Sequence, residues 1–142
     1  MKIEIAVFDI EGAKIAQNAG AHRIELCSSI NEGGVSPSYG TIMWAKENLN
    51  IPIFVMVRPR GGNFIYSKDE ISIMKKDVDF CKNIGVDGVV FGILDKDYNV
   101  DIANCKEIIK SAGNMQLTFH RAFDRAKNPK KALEEIIDLG FH

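Results

Sequence analysis

Asn83-Ile84-Gly85 followed by Gly88-Val89-Val90-Phe91 reads as the last turn of a helix, a stop and a buried strand. Gly stands at the stop because it enters the left-handed backbone region without a Cβ penalty. The same grammar recurs along the chain. Asn18-Ala19-Gly20 precedes Arg23-Ile24-Glu25-Leu26, Ser111-Ala112-Gly113 precedes Gln116-Leu117-Thr118-Phe119, and Asp138-Leu139-Gly140 precedes Phe141. Asn50, after Leu49 and before a strand at 53–57, is expected to take the glycine's role once. The marks fall about 30 residues apart, the length of one strand plus one helix.

Helix starts are equally legible. Ser67-Lys68-Asp69-Glu70 is a capping box, with Tyr66 and Ile71 placed as its hydrophobic staple. Ser36-Pro37 and Asn128-Pro129 each put a capping residue before Pro at the first helical position. Asp9 and Asp101 are expected to cap two more helices. Ile71, Met74, Val78 and Cys81 form one stripe at helical spacing, as do Cys105, Ile108, Ile109 and Ala112. Ile42, Ala45 and Leu49 do the same in the second helix. Cys81 and Cys105 are therefore expected in the core. The predicted order is five βα units, then the first residues of a sixth strand.

Strands alternating with helices imply a parallel sheet with right-handed crossovers. An open doubly wound sheet and a barrel both satisfy that order. Side-chain alternation separates them. One face carries Ile3, Ile5, Val7, Ile24, Leu26, Val55, Val57, Val89, Phe91, Leu117 and Phe119, and is apolar throughout. The other carries Glu4, Glu25, Arg58 and His120. A sheet covered by helices on both sides needs two apolar faces. Polar groups on one face suit a barrel interior near its mouth. The expected fold class is α/β, a TIM (β/α)8-barrel type with about five βα units, an incomplete barrel occupying residues 1–142 as a single domain.

The composition agrees with a compact domain. Of 142 residues, 46% are hydrophobic and 26% charged, which excludes a disordered or collagen-like chain. Eighteen Lys and Arg against nineteen Asp and Glu give a net charge of −1, so no basic field steers the chain to nucleic acid. No apolar run reaches the roughly 18 residues of a membrane span. Glu4 and Asp9 interrupt the first apolar stretch, so no secretory segment is expected. Cys27, Cys81 and Cys105 are odd in number and widely spaced, which points to free thiols in a reducing, cytoplasmic setting.

Barrel enzymes keep their chemistry at the carboxyl ends of their strands. Those ends read Glu25-Leu26-Cys27-Ser28, Arg58-Pro59-Arg60-Gly61-Gly62 and His120-Arg121-Ala122-Phe123-Asp124. Arg58 and Arg60 are candidates to bind a phosphate or carboxylate, with Gly61 and Gly62 letting backbone N–H groups approach it. The plainer alternative is an internal salt bridge beside a tight turn. His120, with Arg121 and Asp124 nearby, is a candidate general acid or base, and Glu25 its partner; Glu25 and Arg58 can also neutralise each other. The candidate catalytic set is thus Glu25, Arg58 and His120, with Arg60, Gly61, Gly62, Arg121 and Asp124 binding substrate. Cys27 is a candidate soft-metal ligand, with Met56 and His120 as further donors, or else a small buried hydrophobe. Asp95-Lys96-Asp97-Tyr98-Asn99 mimics the start of a calcium loop, but Val100 and Lys106 stand where Gly and Glu are needed, which leaves a turn.

These strand-end motifs, in this order, resemble the CutC family, named for copper homeostasis. The matching stretches are Gly20 to Ser28, Glu32-Gly33-Gly34-Val35-Ser36-Pro37-Ser38, Val57 to Ser67 and Thr118 to Asp124. The resemblance implies a TIM barrel of about 200 residues or more, cytoplasmic and homo-oligomeric. It therefore also implies a C-terminally truncated barrel here, with open edges and a tendency to self-associate. It further implies copper(I) as the ion handled, with Cys27 as ligand. Some relatives carry a second cysteine in the first strand, where this chain has Ala6. Two functional classes follow: a copper-binding protein, or an enzyme in which Arg58 and Arg60 grip a small anionic metabolite while His120 and Glu25 exchange protons.

Overall fold

The computed structural model describes every residue, Met1–His142. Its elements are β1 (Glu4–Val7), α1 (Ile10–Asn18), β2 (Arg23–Leu26), α2 (Tyr39–Asn48), β3 (Ile53–Met56), α3 (Lys68–Ile84), β4 (Gly88–Phe91), α4 (Ile102–Ala112), β5 (Gln116–Phe119) and α5 (Pro129–Asp138). Short 3₁₀ turns at Ile30–Glu32 and Arg121–Arg125 follow β2 and β5. The sheet runs β1-β2-β3-β4-β5, each pair parallel. The backbone N–H of His142 donates to the carbonyl of Leu117 at 2.9 Å, so the chain's last residue begins a pairing on the outer side of β5.

Local chemistry accounts for most boundaries. Gly20, Gly85, Gly113 and Gly140 all have positive φ, as the helix stops require. Ser67 and Glu70 form the reciprocal capping box, and Asp9, Asp101 and Asn128 cap α1, α4 and α5 through their side chains. Two expectations fail. Asn50 does not replace a glycine: α2 stops at Leu49, whose φ of −106° is extended, and no left-handed residue is used. Ser36 does not cap α2, because the helix begins two residues later with Ser38 bonded to the Thr41 N–H. Ser36 is needed elsewhere: its N–H donates to the Arg58 carbonyl, its Oγ accepts the Arg58 N–H, and the same hydroxyl donates to Asp77 on α3.

The two faces of the sheet separate as alternation predicts. Ile24, Leu26, Ile53, Val55, Val57, Val89, Phe91 and Leu117 pack in one core with Ile42, Met74, Val78, Cys81, Cys105 and Ile108 from the helices. Burial pushes the thiols of Cys81 and Cys105 up to about 12, so both are inert core residues. At the β1 edge α1 covers the same face only in part, leaving Ile3 and Ile5, and Ile15 on α1 itself, exposed. The inner face is layered by the register. Ala6, Glu25, Phe54, Gly88 and Gln116 form one cross-strand row. Two residues further along, continuing the register, come Phe8, Cys27, Met56, Val90 and Thr118. The next row, at the carboxyl ends, holds Arg58, Gly92 and His120. Ladder bonds past the strand ends, Val57 N–H to Val90 O and His120 N–H to Phe91 O, carry that register on. Below them, Glu4 pairs with Arg23, whose guanidinium lies 4.0 Å over Phe54, which answers for the deepest charges on this face.

Candidate functional site at the carboxyl ends of the strands

Arg58 organises the mouth. It is 3% exposed. Its Nη1 donates to the carbonyls of Glu32 and Gly34, each at 2.7 Å, and its Nη2 to Gly62 at 3.0 Å. One guanidinium thereby ties the loop after β2 to the loop after β3. Its Cζ lies 4.8 Å from the centre of the Phe64 ring, and its Nε–H has no partner in the protein. The expected pairing with Glu25 is not made. Glu25 sits two rows deeper, roughly 13 Å back along the strands at 3.3 Å per residue, and its Oε1 takes the Cys27 thiol at 3.5 Å. The same separation keeps Glu25 from His120. Parity placed all three on one face, and the register then set them in different layers.

His120 ends β5 and caps the 3₁₀ turn that follows, its Nδ1 accepting the Ala122 N–H at 3.2 Å. That bond occupies the Nδ1 lone pair, so the neutral ring carries its proton on Nε2. Burial first, and the Arg58 guanidinium second, hold the imidazole neutral, its pKa pushed down to about 3. A neutral imidazole with a committed Nδ1 is a hydrogen-bond donor through Nε2, and that atom has no protein partner. Gly92 makes room for the ring. A Cβ there would lie 2.7 Å from His120 Nδ1 and 3.0 Å from the Ala122 methyl. The Phe64 ring packs against the imidazole in a tilted arrangement, with centroids 4.9 Å apart.

Arg60 is committed to its own loop. Its Nε donates to Glu70 at 2.5 Å and its Nη atoms to the carbonyls of Gly61, Asn63 and Ile65. It braces the capping box of α3 instead of facing the mouth with Arg58. Gly61 is a glycine for a packing reason: the Glu32 carboxylate occupies the place its Cβ would take. Gly62 adopts a φ of +80°. Arg121 is exposed on the 3₁₀ turn, and its Nη1 lies 3.4 Å from where a Cβ on Gly33 would stand. Asp124 is exposed on the same turn and makes no ion pair.

Asn31, Glu32, Gly33, Arg58, Gly62, Phe64, Arg121 and Arg125 line a cleft of about 240 Å³ at this end of the sheet. It holds three guanidinium groups against one carboxylate. Phe64, Gly92, Asn31 and Arg125 were not foreseen from sequence. Gly92 had a signal, being the small inward position between Arg58 and His120. Arg125, one turn beyond Arg121, had a weaker one.

Cys27 and Met56 are neighbours in the middle inner row and pack with Phe54 and Val90. Burial, and then the Glu25 carboxylate, push the Cys27 thiol well above its ordinary range. His120 lies a row away, against Phe64, and no three His, Cys, Asp or Glu side chains converge anywhere to hold a metal ion. The chain offers Cu(I) two adjacent soft donors, which is short of a closed site.

Parallel βα units with a cationic mouth at the carboxyl ends of the strands define an α/β protein of the TIM-barrel type. Its structural likenesses agree: an archaeal fructose 1,6-bisphosphate aldolase matches with a TM-score of 0.55 at 15% identity, over 90% of this chain and 50% of the other. The chain belongs to the CutC family, whose model matches residues 1–142. A CutC family protein of Pasteurella multocida is 45% identical over 140 residues, covering 99% of this chain and 57% of its own length. One from Photorhabdus laumondii is 48% identical over 139 residues, covering 98% and 56%. The CutC structure from Streptococcus agalactiae, described by name as a copper homeostasis protein, superposes with a TM-score of 0.93 at 32% identity, over 99% of this chain and 70% of that one. The chain thus spans a little over half the length of these curated relatives. No helix is long and apolar enough to cross a membrane.

Proposed function

We propose that this chain supplies the anion-binding part of a barrel mouth, acting on a small phosphate- or carboxylate-bearing metabolite. The observation that carries the reading is the cleft in which Arg58, Arg121 and Arg125 converge with the Gly33 and Gly62 backbones. Guanidinium groups match oxyanions bidentately. Arg121 and Arg125 are exposed and make no ion pair, so they keep their donors for a ligand. Arg58 contributes its charge and holds the cleft in shape. Thermal-shift titration with phosphorylated and carboxylated metabolites tests the reading. A stabilising ligand is expected, and its effect should fall when Arg121 or Arg125 becomes Ala. A hit unchanged in the Arg121→Ala, Arg125→Ala double variant removes it.

A second reading, capture of Cu(I), is favoured by the family's association with copper homeostasis and by the adjacency of Cys27 and Met56. Anaerobic Cu(I) titration of the wild type and of Cys27→Ala decides it. Equal affinities exclude Cys27 as ligand. Three free thiols also suit a reducing compartment such as the cytoplasm.

A further inference from the structure

Two buried nitrogen donors without a protein partner pack against Phe64, a residue that lines the cleft. Arg58 is 3% exposed and His120 is 8% exposed. Arg58 Nε and His120 Nε2 are both without a protein partner. Each is left over after the rest of its group is committed. Both Nη atoms of Arg58 serve backbone carbonyls, and Nδ1 of His120 serves the Ala122 N–H. The two side chains belong to the same cross-strand row, separated by Gly92, which places no side chain between them. The same Phe64 ring packs against both, at 4.8 and 4.9 Å. A buried donor left unmade costs about 1–3 kcal/mol, so an acceptor that reaches these two recovers that cost.

Resting on the anion reading above, we propose that the cleft takes a ligand with two oxygen groups. An anionic group is held at the rim by Arg121 and Arg125, and a second acceptor oxygen is held deeper by Arg58 Nε–H and His120 Nε2–H. The deep subsite offers these two N–H donors, and the buried Tyr66 hydroxyl beside Arg58 also lacks a partner. The two N–H groups take a carboxylate, carbonyl or phosphoryl oxygen. His120 acts in it as a neutral donor, in place of the proton-exchanging role expected from sequence. The substrate class is a compact bifunctional anion, such as a phosphorylated carboxylic or oxo acid.

Calorimetric titration of the 142-residue chain with inorganic phosphate and with phosphoglycolate, which adds a carboxylate to the phosphate, tests this. The wild type should bind phosphoglycolate about tenfold more tightly, the scale of one or two well-made buried hydrogen bonds. His120→Asn keeps a side chain able to cap the 3₁₀ turn but loses the inner donor, and it should lose that preference. His120→Gln restores an N–H near the Nε2 position and should recover most of it. Arg121→Ala should weaken both probes alike. Phosphate binding with no preference in the wild type, or a preference kept in His120→Asn, overturns the deep subsite alone. Failure of the wild type to bind either probe overturns the anion reading, and the subsite with it.

Discussion

Acidification should destabilise this protein through His120. In the folded chain, burial and the Arg58 and Arg121 guanidiniums keep the imidazole neutral down to about pH 3. In the unfolded chain it takes up a proton near pH 6.5. The unfolded state then binds more protons, so stability falls as pH falls. The contribution is whole above pH 6.5 and is lost progressively down to pH 3. Between pH 7 and pH 5 the linkage relation gives a loss of about 2 kcal/mol for this one group. That is a large share of the roughly 5–15 kcal/mol typical of a domain. Urea midpoints at the two pH values, for the wild type and for His120→Asn, read it directly. Glu25 and Asp77, whose carboxyls burial raises, bind protons in the folded state and act in the opposite sense. They are common to both chains and cancel in the comparison. The wild type should lose about 2 kcal/mol more than the variant. Parallel losses, equal within ~0.5 kcal/mol, would mean that the imidazole titrates normally in the fold, and the account of its burial beside Arg58 would be wrong.

Gly92→Ala drives a methyl into the His120 ring and the Ala122 side chain, and should cost about 1–3 kcal/mol in urea unfolding; a variant as stable as the wild type would show that the ring is free to move. Arg60→Ala should lower stability by about 1 kcal/mol, the scale of its lost hydrogen bonds, while leaving anion affinity unchanged. Affinity lost in proportion would return Arg60 to the ligand. The outer side of β1 carries no strand, and Ile3, Ile5, Leu133 and Ile137 are exposed. The isolated 142-residue chain, of 15.8 kDa, should therefore elute from a sizing column as an assembly. A compact soluble monomer would count against self-association.

Most helix stops and caps, and the two faces of the sheet, were legible in the residues because each depends on a few neighbours along the chain; the Asn50 stop and the Ser36 cap were not. Gly85 needs only its own missing Cβ, and Ile24, Glu25 and Leu26 reveal their faces by alternation. The row in which a side chain sits is a different kind of fact. It follows from the register, which loop lengths and helix packing set together. That is why Glu25 shares a face with Arg58 and His120 yet meets Cys27 instead. Long polar side chains choose among partners that only folding brings close. Arg60 finds Glu70 ten residues on, and Ser36 leaves its place before Pro37 to join Arg58 to Asp77. The kind of fold, and the motifs that would meet at its mouth, were written in local periodicity. Which of those groups touch, which are used up on the backbone and which donors stay unspent were settled by contacts between distant residues, which no local pattern encodes.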